Sequence, residues 1–401
     1  MSQLSYMEKL LDGVEVKRLA LGDIGEFIRG NGIQKKDLVE AGFPAVHYGQ
    51  IFTRYGFSAD QPFTFISDEL AKKSRIAQKN DLLIATTSEN DEDVLKSVAW
   101  LGEKVAISGD MMLFRHDQNV KYLAYYFQTE DFQRQKIKFI TGAKVRRVSR
   151  DNLAKMTVSF PSLDVQAEIV RILDVFTELT AELTAELVAR RKQYTYYRDQ
   201  LLTFEEDKVE WKDLGEVGAV RMCKRVLKSQ TSDREGIPFY KIGTFGKEPN
   251  AYITRELFDE YKAKYSYPKI GEVLISASGT IGRTVIFDGR DAYFQDSNIV
   301  WIENNENKVL NKYLFYFYQV VSWNVAEGGT IKRLYNDNLR KIKIPIPPLA
   351  EQKRIVTILD KFDALTTSLT EGLPREIELR QQQYEYYREL LLNFPKLEGN
   401  A

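Results

Sequence analysis

The stretch "TELTAELTAELVARRKQYTYYRDQLLTF" occupies residues 177–204 and carries the tetrapeptide TAEL twice in tandem, at 180–183 and 184–187. A four-residue period suits a helix poorly: at 3.6 residues per turn, each copy rotates the leucine stripe by about 40°. Such a seam drifts off its partner and is normally kept short. A block that packs imperfectly, yet can be lengthened or shortened by a unit, suggests a spacer. An ordinary amphipathic helix enriched in good helix formers is the plain alternative.

The end of the same stretch says more. "YTYYRDQLLTF" (194–204) returns as "YEYYRELLLNF" (384–394), and "LDVQAEIVRILD" (163–174) returns as "LAEQKRIVTILD" (349–360). "RRVSRDNLAKM" (146–156) matches "KRLYNDNLRKI" (332–342), "VEVKRL" (14–19) matches "VEWKDL" (209–214), and "GFPAVHYGQ" (42–50) matches "GIPFYKIGT" (236–244). The chain is therefore a tandem duplication, each copy a globular part followed by a long helical part. Gln166 aligns with Gln352, 186 positions on, whereas Phe204 aligns with Phe394, 190 positions on, so the second helical segment is four residues longer. The extra residues fall around "TEGLPREIEL" (370–379), where Gly372 and Pro374 should break or kink the helix, with Pro374 tolerated as the first residue of a resumed one.

Ile169, Leu173, Phe176, Leu179, Leu183 and Leu187 have counterparts at Ile355, Leu359, Phe362, Leu365, Leu369 and Leu373. Spacings of three and four mark one apolar seam per helix. The first helix, from about Val165 to Leu202, is about 57 Å long at 1.5 Å per residue. Two such helices with matching seams are expected to pair antiparallel. The expected fold is α+β, two globular heads of mixed sheet separated by two long antiparallel paired helices with pseudo-two-fold symmetry. The alternative is that each helix packs only onto its own head. The landmarks divide the chain into a first head with a helical lead-in (1–160), a first long helix (161–206), a second head (207–346) and a second long helix (347–401).

The 401 residues suffice for two or three domains with proper cores. Lys and Arg total 57, as do Asp and Glu, so the chain lacks the broad basic surface of a general DNA-coating protein, although local patches can still bind phosphate. A single cysteine, Cys223, excludes an internal disulfide framework and a multi-cysteine zinc site. There is no apolar run near 18 residues, and "MSQLSYMEKLLDGVEVK" at the start lacks the features of a signal peptide, so a cytoplasmic location is expected.

In the second head "EVLISASGTIGRTVIF" (272–287) reads as strand, glycine turn, strand, and "NIVWI" (298–302) as a further buried strand. "DLLIATTS" (81–88) and "SVAWLGEKVAISGDMMLF" (97–114) hold the corresponding places in the first. An aromatic helix follows in each, "KYLAYYF" (121–127) and "KYLFYFY" (312–318), expected to be core. A basic stretch comes next: "GAKVRRVSR" (142–150) without an acid, and "TIKRLYNDNLRKIK" (330–343), basic apart from Asp337. One such loop could be mere solvated charge; two in corresponding positions point to phosphate binding. "SASGTIGRT" (276–284) lacks the GK[ST] ending of a P-loop and the GxGxxG spacing, so a tight hairpin presenting polar side chains is the better reading. The first head has "TTSENDED" (86–93) instead, which fits two heads that read different things.

Catalytic candidates are few. Only His47 and His116 are present, no Pro precedes an Asp as in the PD-(D/E)xK nuclease pattern, and neither (D/N)PP(Y/F) nor a Walker A sequence occurs. His47 aligns with Lys241, which makes it a poor general base and a fair polar contact, and Cys223 reads as structural.

Taken together, "IPIPPLAEQKRIVTILDKFDAL" (344–365), "RQQQYEYYRELLLNFP" (380–395) and the TAEL tandem resemble the specificity subunits of type I restriction-modification enzymes, most closely the type IC group. The resemblance covers essentially the whole chain, and "SASGTIGRT" with "FQDSN" looks like a common type of target-recognition domain. It implies that each head reads one half of a bipartite, asymmetric DNA sequence. The helices would set the unread gap, with TAEL copy number as the adjustable part; one copy adds about 6 Å. It also implies double-stranded DNA, two modification subunits and two restriction subunits as partners, the chain itself being non-catalytic and binding no cofactor. S-adenosylmethionine, ATP and Mg would belong to those partners. Transferred by position, the contact residues are His47, Tyr48, Gln50, Thr86, Thr87, Ser88, Asn90, Lys144, Arg146 and Arg147 in the first head. In the second they are Lys241, Thr244, Ser276, Ser278, Thr280, Arg283, Gln295, Asn298, Lys332 and Arg333. The Lys and Arg after the sheet are assigned to phosphates and the loop residues to base edges. Spacer positions are Thr180, Leu183, Thr184, Leu187, Gly372 and Pro374. A self-contained DNA-binding regulator, and an enzyme holding a phosphorylated small molecule at the glycine loop, are the other classes open to this sequence.

Overall fold

The computed structural model describes residues 10–11, 13–323, 333–368 and 370–394. Its contacts divide the chain into two compact units. One takes the chain up to Leu183 together with Ile377 onward; the other is Thr184–Glu376. Each unit thus holds one head and parts of both helical segments.

In the first unit, Gly25–Arg29, Met111–His116, Leu82–Ala85, Ser97–Trp100 and Ser58–Ala59 form a five-stranded sheet in that order, antiparallel except at its last pair. A four-stranded sheet runs Thr64–Ile66, Phe43–Val46, Val105–Ile107, Arg75–Ala77, with a parallel pair at its centre. The second unit repeats the plan with shorter strands: Ala219–Arg221, Ile299–Glu303, Val273–Ser276, Thr284–Ile286, and Tyr252–Ile253, Ile237–Tyr240, Tyr293–Phe294. The hairpin and buried strand expected from "EVLISASGTIGRTVIF" and "NIVWI" are these. Lys17–Ala20 pairs with Thr157–Phe160 in one head and Glu210–Asp213 with Lys343–Ile346 in the other, which closes each head before its helix begins. The aromatic helices, Val120–Tyr126 and Asn311–Phe317, are core: Tyr122, Tyr125, Tyr126, Tyr313 and Tyr316 are all buried.

Between head and helix the duplication holds atom by atom. Gln166 and Gln352 are fully buried. Gln166 Oε1 accepts from the Asn119 amide and its Nε2 donates to the Pro161 carbonyl, while Gln352 does the same with Leu310 and Pro347. A buried primary amide must have its donors and acceptor met, which is why this glutamine stands in both copies. Asp174 takes Lys121 Nζ at 2.7 Å and the Tyr125 hydroxyl at 2.9 Å; Asp360 takes Lys312 Nζ at 2.6 Å and the Tyr316 hydroxyl at 2.7 Å.

The first long helix spans Leu163–Leu202, two residues more than expected at its start. The second is not one kinked helix. It stops at Thr367 and resumes at Gly372, so the break lies just upstream of the glycine and proline expected to cause it. Gly372 has φ +78°, and a Cβ there would stand 2.4 Å from the Ala364 carbonyl oxygen, so both conformation and space demand glycine. Pro374 lies in the first turn of the resumed helix, where its missing N–H costs nothing. Leu183 and Leu187 of the TAEL tandem are half-buried and Thr184 is exposed, while the Thr180 hydroxyl donates to the Phe176 carbonyl within the helix. The border of the two units falls between the two TAEL copies.

Each head packs against helical segments from both copies. Phe176 stacks on Tyr387, their centroids 5.1 Å apart, and Tyr197 stacks on Phe362 at 5.8 Å, the same pair in the two units. In the second unit Arg191 donates to the Thr366 carbonyl and Tyr194 and Tyr197 lie against Phe362, so the segments run antiparallel there. The helical lead-in expected before residue 13 lies outside the described residues, except that Leu10 and Leu11 are helical.

Candidate nucleic-acid interface

In both heads the basic stretch comes back to pair with the polar loop. Arg146–Arg147 form a two-stranded sheet with Thr87–Ser88, Arg146 opposite Ser88 and Arg147 opposite Thr87. In the second head an isolated bridge joins Arg333 to Ser278. The backbone confirms the equivalence: Val148 N–H donates to the Thr86 carbonyl, and Leu334 N–H to the Ala277 carbonyl. Two regions about 60 residues apart in sequence thus make one edge, bearing hydroxyls beside guanidinium groups. Lys332 lies outside the described residues.

Not all the candidates face outward. Thr86, Thr87 and Ser88 are buried; the Thr86 hydroxyl donates to the Asp110 carbonyl, Ser88 Oγ accepts from the Asn90 amide, and the buried Thr87 Oγ1 has no protein partner. Asn90 closes its own turn, donating to Asp93 Oδ2 and accepting from the Asp93 amide. Arg146 ion-pairs with Asp91 at 2.8 Å and donates to the Gly142 carbonyl, so the acids of "TTSENDED" neutralise part of the basic stretch. Lys144 and Arg147 are exposed.

Several expected base readers instead hold the backbone. Gln50 is buried; its Oε1 accepts from the His47 amide and its Nε2 reaches Thr64 Oγ1, which caps the helix Tyr48–Thr53. Thr244 does the same for the Lys241 amide. Gln295 Oε1 accepts from the Ile242 amide, a duty performed in the first head by Ser108 Oγ on the Tyr48 amide. Ser276 is buried, donating to the Thr280 carbonyl and accepting from the Arg283 amide, so it closes the glycine turn from inside. Arg283 turns back to the Phe245 carbonyl, Ser278 Oγ donates to Asn298 Oδ1, and Arg333 donates to the Ser297 carbonyl. Thr280 and Lys241 are exposed. His47 accepts from the Gly49 amide and lies 4.7 Å from the Tyr48 ring; burial holds its pKa below the ordinary value, which favours the uncharged ring at neutral pH.

Lys241, Gln295 and Asn298 line one cleft of about 440 Å³ together with Arg225 and Lys228, two cations the sequence reading passed over. Lys228 sits on a short 3-10 turn, Lys228–Gln230, whose counterpart Lys35–Asp37 lies close enough to His47 for Lys35 to depress its pKa. The signal was in the sequence: basic residues at like distance before "GFPAVHYGQ" and "GIPFYKIGT". Among the described residues no group of His, Cys, Asp and Glu could hold a metal ion. Cys223 is buried, its thiol pushed up to about 12 by desolvation, which leaves it unreactive at neutral pH.

Residues 13–190 and 206–379 each match the type I restriction modification DNA specificity domain, and the chain belongs to that family. It is 47% identical to a putative type I restriction enzyme specificity subunit of Haemophilus influenzae, over 97% of this chain and 98% of that one. It is 36% identical to the type I restriction enzyme EcoR124I/EcoR124II specificity subunit of Escherichia coli, over 99% of both. In fold it resembles the crystal structure of a type I restriction-modification system S subunit from M. genitalium, with TM-score 0.56 at 13% identity over 96% of this chain and 98% of that one. A chain from the "structural basis underlying complex assembly and conformational transition of the type I R-M system" gives TM-score 0.59 at 15% identity, over 96% and 99%. No described helix is long and apolar enough to cross a membrane.

Proposed function

We propose that this chain is the DNA sequence-specificity subunit of a type I restriction-modification complex. Each head reads one half of a bipartite, asymmetric target, and the helical segments set the unread gap and dock two adenine-N6 methyltransferase subunits. The observation that carries this reading is the repeated edge, Thr87 beside Arg147 and Ser278 beside Arg333, built from non-matching loops on matching frames. Same frame and different chemistry is what an asymmetric target requires. Exposed Lys144 and Arg147 take phosphates in the first head, as Arg333 and Lys332 do in the second. Thr280 and Lys241 are the second head's outward groups, with Arg225 and Lys228 beside Lys241 in its cleft; Lys35 and Lys36 hold the corresponding place in the first head. The chain does no chemistry; its partners bring S-adenosylmethionine, ATP and Mg, and the assembly works in the cytoplasm.

The test is a modified-base methylome of cells carrying this chain with its cognate modification subunit. N6-methyladenine confined to a bipartite motif, and absent without this chain, is the expected result. Deleting one TAEL, about 6 Å of helix rise, shortens the gap and leaves both half-sites unchanged. An active modification subunit that leaves no such motif overturns the proposal; sharp binding by the isolated chain would then favour a stand-alone regulator.

A further inference from the structure

Lys136 is a lysine with almost no access to water: the residue is 2% exposed. It sits in the helix Glu130–Ile137, one turn past buried Phe132, which stacks on Phe127 at 4.0 Å. Its Nζ donates to the backbone carbonyl of Glu92 at 2.9 Å. Burying an ammonium group is costly unless something compensates, and here the compensation is the acidic loop itself. Desolvation lowers the pKa of Lys136, while Asp91, Asp93 and Glu92 hold it up.

That loop is the one whose chemistry distinguishes the first head. It leaves the sheet at Thr87–Ser88, turns at Asn90, passes Asp91 paired to Arg146, and rejoins the sheet through Leu95. Leu95 is buried with φ +67°, a left-handed conformation that a branched side chain adopts only where its surroundings impose it. Between Asn90 and Leu95 the loop is held to the body of the head by the Lys136–Glu92 bond, by the half-exposed Asp91–Arg146 pair and by buried Val94; of the two polar ties, the lysine's is the one shut away from water. The second head solves the same problem differently. Its turn is glycine-rich and closed from within by Ser276, which bonds the Thr280 carbonyl and the Arg283 amide.

We infer that Lys136 is a positioning residue for DNA reading by the first head: a buried cation that fixes the shape of the loop 88–95 without touching DNA. A contact group held about 1 Å from its place no longer discriminates, so the anchor governs which sequence the first half-site is. The inference rests on the specificity-subunit reading and applies to one head only, so the second half-site is its internal control.

The experiment compares methylomes of cells expressing the full complex with the wild-type chain and with Lys136→Met, which keeps the apolar stem and removes the charge and donor. The expected result is a motif whose second half and gap are unchanged. At one or more bases of the first half, preference falls on the order of tenfold, the discrimination that one base contact carries. Lys136→Gln, too short to reach the Glu92 carbonyl, is expected to do the same and serves if methionine prevents recovery of the protein. An unaltered first half-site in either variant overturns the inference. So does equal loss of both halves, which would make Lys136 a general stability residue. If the wild-type chain itself leaves no bipartite motif, the specificity-subunit reading is what fails.

Discussion

The Tyr384 hydroxyl donates to Oε1 of Gln128 at 3.0 Å, tying the C-terminal helix to the first head. Its counterpart, Tyr194 to Gln319, is also 3.0 Å. Tyr384 is buried and Tyr194 half-buried, so the phenylalanine substitutions should separate by exposure. Tyr384→Phe is expected to cost about 1–1.5 kcal/mol, because its own hydroxyl is carried on the more buried ring, and Tyr194→Phe about 0.5–1 kcal/mol; exposed Gln128 and Gln319 can both turn to water. Urea denaturation of the two variants checks the order; the reverse order would mean that the exposed bond carries the docking.

Asp81 and Glu272 occupy the same place in the two heads with opposite company. Asp81 receives both arms of Arg115, at 3.0 and 2.7 Å, whereas Glu272 Oε1 is buried without a partner. Burial raises the Glu272 pKa, and Glu303 adds to it. A carboxyl whose pKa is raised on folding contributes stability at low pH that is lost as pH climbs. At pH 7, Glu272→Gln is therefore neutral or stabilising. Asp81→Asn, which breaks a half-exposed charged pair, costs about 1–3 kcal/mol. At pH 7 the melting temperature should fall for Asp81→Asn and hold or rise for Glu272→Gln.

His116 carries a pH dependence of its own. Burial lowers its pKa to about 4, against the pull of Asp81, and its Nε2 has no partner. Between the ordinary value of 6.5 and about 4 the unfolded chain takes up a proton that the folded chain refuses. Stability is thus full above that window and falls as pH drops through it. His116→Asn keeps an acceptor for the Gln118 amide and should flatten this slope in denaturation curves from pH 7 to pH 4.

Arg146 and Arg147 should differ on DNA. Arg147 is exposed, whereas Arg146 is already paired with Asp91. Arg147→Ala in the assembled complex is expected to reduce the slope of log affinity against log salt by about 1. Arg146→Ala reduces it by less, since it also frees Asp91. A change of preference at a single base in Arg147→Ala would reassign that side chain to base reading.

The duplication made much of the fold legible. A buried polar duty carried by the same residue in both copies, such as Gln166 with Gln352, is visible because the same letter stands at the same place twice. The break in the second helix showed as an offset changing from 186 to 190, though the chain leaves the helix before the glycine, because Gly372 shapes the re-entry. The roles of Gln50, Thr244 and Gln295 were not legible. An amide or hydroxyl that caps a backbone N–H has the same chemistry as one that reads a base, and only the path of the chain separates them. Nor could the seam show which head each helix end serves, since both helices carry the same periodic pattern.

That last ambiguity belongs to the molecule as well as to its sequence. Phe176 with Tyr387 and Phe362 with Tyr197, like the two tyrosine–glutamine bonds, form one lock cut twice from the same key. These shared contacts do not tell a head which helix end is its own; covalent connection does, through the high effective concentration a tether gives. Refolding from dilute solution should therefore be faithful. Refolding from concentrated solution offers each head a neighbour's helix end of equal quality, so crossed pairs between copies accumulate as concentration rises.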